Sequence, residues 1–319
     1  MVDRSARPSP DEIEALELPE GARRLCERYE ECIDRRPDYL WKWLYATFPR
    51  YRLSSVASAH GSVVREQKLL LTMFYTALDD VADTYGDGTT FLEALKLPLP
   101  GATPDLDRSA VDTDALRFVT AAWDAVTETL GEAPRAEEFY PTFRFDLQQV
   151  LNAMHYGYLV TESPELATRR GTDAHAVHNM AQFSYADLDL MYSPGFDRGD
   201  LRALRRVVWP AQRLARIANW VATWEREVAE ADPTSGILVD ALVEDVVRVE
   251  ELTDPATPDE AVIERVRDHG IEHRYVEEWE RIYERLRTES HEARTVDLDD
   301  YVAGMADVRD LYLDSRGRI

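Results

Sequence analysis

The chain has 319 residues, 45% of them hydrophobic, which is enough for a large core in one or two domains. Acidic residues outnumber basic ones 61 to 37, and the resulting charge of −24 repels nucleic acid. The two cysteines, Cys26 and Cys32, are poorly spaced for a disulfide, so the composition points to a reduced, cytoplasmic protein.

Residues 1–10 carry charges and Pro8 and Pro10 but no apolar run, so they read as a flexible tail without a signal peptide. The remainder, 11–319, shows no Gly/Ser linker and reads as one domain. Helical periodicity dominates, and no hairpin signal appears. Predicted helices begin with 11–35 and 38–48. The next, 61–85, contains Leu69–Leu78, apolar on nearly every side and therefore expected to be buried, yet too short to span a bilayer. It runs into Asp79-Asp80-Val81-Ala82-Asp83. Asp79 and Asp83 share a face one turn apart, with Asp80 beside them. Three adjacent carboxylates repel one another, and a hard divalent cation such as Mg²⁺ relieves that repulsion. An exposed acidic helix end is the competing reading.

Turn residues at 85–88 and a Pro/Gly loop over 98–104 precede predicted helices 112–131 and 135–162. The segment Arg169-Arg170-Gly171-Thr172-Asp173-Ala174 follows the second of these. A guanidinium there can grip a phosphate in two places, although a surface arginine pair is the plain alternative. Helices 174–192 and 199–208 follow, and Pro210 suits the first turn of a new helix over 210–232. In that helix Asn219, Thr223 and Glu227 recur every fourth residue and form one oxygen-bearing stripe. Taken alone, such a stripe is usually an ordinary polar helix face. Helices 236–252, 258–288 and 297–315 complete the chain. About ten helices without strands imply an all-α, single-domain bundle with its site between facing helices. His269/His273 and His175/His178 lack further ligands for zinc.

The two acidic segments together resemble class I terpene synthases, which carry D-D-x-x-D on one helix and N-x-x-x-[ST]-x-x-x-E on a facing one. Asp79, Asp80 and Asp83 match the first motif, and Asn219, Thr223 and Glu227 the ligand positions of the second, in the family's order. Arg226 stands where the family often has a basic residue, and Trp220 replaces a frequent Asp. The resemblance covers about 65–315. It also marks Arg170 as a diphosphate sensor, with Arg169 the rival by register, Asp173 as linker and the Ala174 carbonyl as effector at a helix break. The family's adjacent C-terminal Arg-Tyr pair is missing; Arg309, Tyr312 and Arg316 are the nearest candidates.

The resemblance implies the class I terpenoid synthase fold around a central apolar cavity, holding about three Mg²⁺ ions on the six motif residues. Arg170, Arg226, Arg309 and Arg316 would contact the diphosphate of a farnesyl or geranylgeranyl substrate. A dry pocket with aromatic faces stabilises the carbocation left behind. Phe74, Tyr75, Thr76, Phe183, Tyr185, Trp209 and Tyr301 are candidates for its wall, and plain core packing is the alternative for each. Many relatives form homodimers. A chain-elongating prenyltransferase, a head-to-head condensing enzyme and a non-catalytic acidic helical protein remain as alternatives.

Overall fold

The computed structural model describes residues 7–84 and 88–319, the side chains of 83 and 84 excepted. All regular structure in it is helical. The helices are α1 (Pro10–Glu14), α2 (Glu20–Cys32), α3 (Asp38–Thr47), α4 (Gly61–Thr84), α5 (Gly88–Ala94), α6 (Thr113–Leu130), α7 (Ala136–Glu162), α8 (Arg169–Ala174) and α9 (Gln182–Met191). They continue with α10 (Leu201–Ala229), α11 (Gly236–Val243), α12 (Val249–Thr253), α13 (Asp259–Asp268), α14 (Ile271–Thr288) and α15 (Leu298–Asp314). No helix among the described residues is long and apolar enough to cross a membrane.

The helices are all-α as the sequence predicts, but several boundaries differ for local reasons. Predicted helix 11–35 divides into α1 and α2, and α1 starts at Pro10 because Ser9 caps it: its Oγ accepts the Glu12 N–H at 3.3 Å. Predicted helix 174–192 breaks at Ala181, whose φ of 51° no right-handed helix accommodates; a short 3₁₀ turn over Ala176–Met180 precedes it. Asp245 (φ 57°) ends α11 and Gly270 (φ 66°) separates α13 from α14 in the same way. The opposite correction applies at Pro210, which lies inside the unbroken α10. Proline removes one ladder hydrogen bond, at about 3 kcal/mol. The flanking Val207, Val208, Ala211 and Leu214 are all buried, and their packing offsets that loss.

The chain forms two compact units, one of Met1–Arg144, Tyr185–Phe196 and Arg318–Ile319, the other of Phe145–Ser184 and Asp197–Gly317. In the first unit α4 is central and packs on α2, α3, α5 and α6. Leu69, Leu71, Met73, Phe74, Ala77 and Leu78 are completely buried, as an all-round apolar helix requires. Lys68 sits on the same helix, and its Nζ donates to the equally buried Asp189 at 2.8 Å. In the second unit α10 packs on α11, α13, α14 and α15. Trp220 and Trp224 are fully buried there. The Trp220 ring lies so close to Gly236 that a Cβ would approach it to 2.7 Å, so α11 begins on the one residue that fits.

Candidate functional site

The acidic end of α4 belongs to the first unit. Asp80 is wholly buried, and its carboxylate is occupied by two side chains that sequence reasoning overlooked. Arg36, in the loop between α2 and α3, donates from Nε at 2.7 Å and lies 2.6 Å away through Nη2, both to Asp80 Oδ1. Tyr29 Oη donates to Asp80 Oδ2 at 2.5 Å. Burial and the neighbouring Asp80 charge push the Tyr29 hydroxyl pKa up, keeping it a donor. Burial pulls the Arg36 pKa down, but Asp80 and Asp79 outweigh it and raise it. Asp79 is more open, with 39% of its side chain exposed, and its Oδ2 lies 4.0 Å from Arg36 Nη2. The side chain of Asp83 lies outside the described residues.

The stripe on α10 is built differently. Thr223 Oγ1 donates to the Asn219 carbonyl at 2.9 Å and lies 2.8 Å from Glu227 Oε1, donating to one of the two at a time. Glu227 is nearly buried, and its second oxygen, Oε2, has no hydrogen-bond partner among the described residues. Burial, followed by the nearby Asp232 charge, pushes its pKa up to about 7. Arg216, one turn before Asn219 and also buried, donates to the Asn219 side-chain oxygen at 2.9 Å. Tyr312 from α15 hydrogen-bonds the same amide, and burial drives its pKa up to about 12. Arg216 stands three residues before Asn219, an i, i+3 neighbour on the same side of α10.

The segment of Arg169–Ala174 forms α8 itself instead of a break. Thr168 caps it by accepting from the Gly171 N–H at 3.0 Å. A Cβ at Gly171 would meet the Tyr156 hydroxyl at 2.3 Å, so a larger residue there would displace that side chain. Arg170 is exposed and has no ion-pair or hydrogen-bond partner among the described residues. Arg169 is committed to Asp240, at 2.8 Å from Nε, and to Glu244. Asp173 pairs with Arg213 at 2.9 Å, and Ala174 is exposed at the end of the helix. This segment borders a cleft of about 550 Å³ in the second unit, lined by Arg169, Asp173, Trp209, Arg213, Tyr275 and Arg281 among others.

The remaining arginines mostly have local partners. Arg226 pairs with Glu230 at 3.4 Å, and Arg309 donates to Asp310 at 2.9 Å while covering the Trp279 ring. Arg316 is held by the Val221 carbonyl and by Glu272 at 2.7 Å. Of the aromatic candidates, Phe74, Tyr75, Phe183, Tyr185 and Tyr301 are buried, and Thr76 is partly so. The Tyr185 hydroxyl meets Thr72 at 2.6 Å, and Tyr301 donates to Gln182 at 3.0 Å. Trp209 is half exposed, with its ring edge-on to Phe183 and His178.

Among the described residues no three His, Cys, Asp or Glu side chains gather into a preformed metal cage. The donors on α10 are instead one carboxylate, one hydroxyl and one amide, all oxygen, which is the chemistry Mg²⁺ accepts. The partnerless buried oxygen of Glu227 fits a divalent cation, because a ligand there removes both its desolvation and its missing bond. No protein-family model matches this chain, and no curated protein matches it.

Proposed function

We propose that this protein is a class I terpene synthase that ionises a linear isoprenoid diphosphate, farnesyl or geranylgeranyl, and cyclises the resulting carbocation. The reading rests on the paired motifs, Asp79-Asp80-x-x-Asp83 and Asn219/Thr223/Glu227. The observation that carries it is the Glu227 oxygen, buried on the same stripe as Thr223 and Asn219 and without a partner among the described residues. A carboxylate kept in that state is costly unless a cation completes it.

The α10 stripe would hold metal through Asn219, Thr223 and Glu227, and the acidic end of α4 carries carboxylates of the same ligand chemistry. Bound Mg²⁺ supplies charge that makes diphosphate a better leaving group. Asn219 is held in one orientation by Arg216 and Tyr312, and a cation there would share the amide oxygen that Arg216 now donates to. Thr223 steadies the first oxygen of Glu227 and leaves the second available. Arg170, exposed and uncommitted, is free to contact a diphosphate oxygen. Arg169 is already tied to Asp240 and Glu244, which favours Arg170 between the two registers.

The test is direct. Purified protein with Mg²⁺ is given geranyl, farnesyl, geranylgeranyl and geranylfarnesyl diphosphates separately, and products are read by mass spectrometry. Release of diphosphate with a cyclic hydrocarbon or alcohol, in the absence of isopentenyl diphosphate, is the expected result. Turnover only when isopentenyl diphosphate is added would identify a chain-elongating enzyme instead. No turnover of any of the four would defeat the reading.

A further inference from the structure

We infer that the outer face of α7 between Phe145 and Leu159 is a self-association surface, on which a second copy of this chain lays its own α7 antiparallel, with Asn152 on the two-fold axis. The inference is independent of the function proposed above and uses none of its residues.

The charge pattern of α7 is the first ground. Of the whole chain 31% is charged, yet the stretch 145–161 holds one charged residue, Asp146. Asp146 is buried against Arg205, at 2.6 and 2.9 Å, and takes no part in the outer face. Phe145, Gln149, Asn152 and Leu159 line that face, each within about 40° of Phe145 around the helix. Phe145 is 60% exposed and Leu159 41%, and both gain by leaving water. Two copies of charge −24 repel wherever their acidic surfaces meet. A basic partner would settle on those acidic surfaces. An uncharged face instead suits a partner as acidic as the protein itself, and a second copy is that partner.

The spacing of the stripe makes it self-complementary. Phe145 and Leu159 each lie seven residues from Asn152. A two-fold axis through Asn152, perpendicular to the helix, sets Phe145 opposite the partner's Leu159 and Asn152 opposite its own copy. Such an interface is isologous and closes at two copies. Seven residues are close to two helical turns, the step on which paired helices mesh, and a polar residue in the middle of the seam fixes its register. The flank decides the direction. Arg144 and Glu162 are 18 residues apart, five whole turns, so they share one side of α7 at opposite ends of the stripe. Both are exposed, and neither has an ion-pair or hydrogen-bond partner among the described residues. Antiparallel pairing brings Arg144 to within about 3 Å, measured along the axis, of the partner's Glu162, and it does so twice. Parallel pairing would set like charges side by side, which is unfavourable.

Sedimentation equilibrium of the full chain, from about 1 to about 200 μM, reads the association, and thermal melting of dilute protein reads the fold. Wild type is expected to sediment as a reversible monomer–dimer mixture. Asn152→Glu sets two carboxylates face to face on the axis and should weaken the dimer about tenfold or more, with the melting temperature unchanged because the residue is exposed. Arg144→Glu should weaken it about fivefold, and Arg144→Glu/Glu162→Arg should return to within about twofold of wild type. Arg144→Glu/Glu264→Arg has the same net charge, with the new arginine on exposed α13 surface, and should stay as weak as Arg144→Glu. Wild type that remains monomeric at about 200 μM overturns the inference, and so does a dimer that Asn152→Glu leaves intact. Recovery with both second substitutions, or with neither, overturns the antiparallel register.

Discussion

The acidic end of α4 and the polar stripe of α10 match their motifs equally well in sequence, yet the fold treats them in opposite ways. Asp80 is buried and completely partnered, by a guanidinium and a phenol. Glu227 is nearly as buried but keeps an oxygen with no partner among the described residues, and its pKa rises to about 7. Burial of a carboxylate is therefore not in itself a sign of a binding site. What distinguishes the two is whether donors fill both carboxylate oxygens: Arg216 and Arg226 lie near enough to act on Glu227, yet its Oε2 has no donor among the described residues, a cost that a ligand would relieve.

The sharpest way to break this contrast is to remove a carboxylate from each. Asp80→Ala strands the Arg36 guanidinium and is expected to lose about 3–5 kcal/mol of stability in urea unfolding. A loss under 1 kcal/mol would show that this ion pair is not structural. Glu227→Gln should do the reverse in metal-free protein, gaining on the order of 2 kcal/mol at pH 8. The sign follows from the direction of the shift. A folded-state pKa raised above the unfolded value means that the contribution of Glu227 is fully present below about pH 4.5 and is lost as pH rises through about 7. The advantage of the Gln variant should therefore vanish by pH 4.5, and a pH-independent difference would contradict the assignment. Saturating Mg²⁺ with diphosphate should reverse the order, favouring wild type.

Smaller effects sharpen the comparison. Thr223→Val takes away the donor to Glu227 Oε1, leaving both oxygens bare, and should cost about 1–2 kcal/mol. It should also shift the Glu227 titration still further upward, which isotope-edited infrared spectroscopy of the carboxyl band would register. Arg170→Met is expected to change stability by less than about 0.5 kcal/mol, since the side chain is exposed and uncommitted. Its effect should fall on turnover of the isoprenoid diphosphate, measured as released diphosphate. A comparable drop in stability would place it with Arg36 as a structural arginine.

Much of this pair of segments was legible along the chain. The apolar run before Asp79 makes α4 a buried helix, because every face must find a non-polar neighbour. The four-residue spacing of Asn219, Thr223 and Glu227 puts their oxygens on one line, and the hydrogen bonds between them follow that line. Arg216, three residues before Asn219, falls off that four-residue spacing but is still a helical neighbour of it. The break at Ala181 was not legible, since alanine gives no sign of a positive φ, and Asp245 belongs to a type that tolerates one but adopts it too seldom to mark a break. Pro210 signalled a boundary that does not occur, because propensity is a local preference and the packing of α10 overrides it.

Local order is thus what the chain alone determined: which stretches coil into helices, which faces are oily, which oxygens line up one turn apart. These depend on neighbours within about four residues, and the covalent backbone fixes such neighbours in advance. Tertiary structure decided which carboxylate is spent and which is spare. Arg36 and Tyr29 reach Asp80 across 44 and 51 residues of chain, a pairing that no spacing encodes. It arises only when helices pack, because the charge balance of a buried group depends on whatever the fold brings within a few ångströms of it.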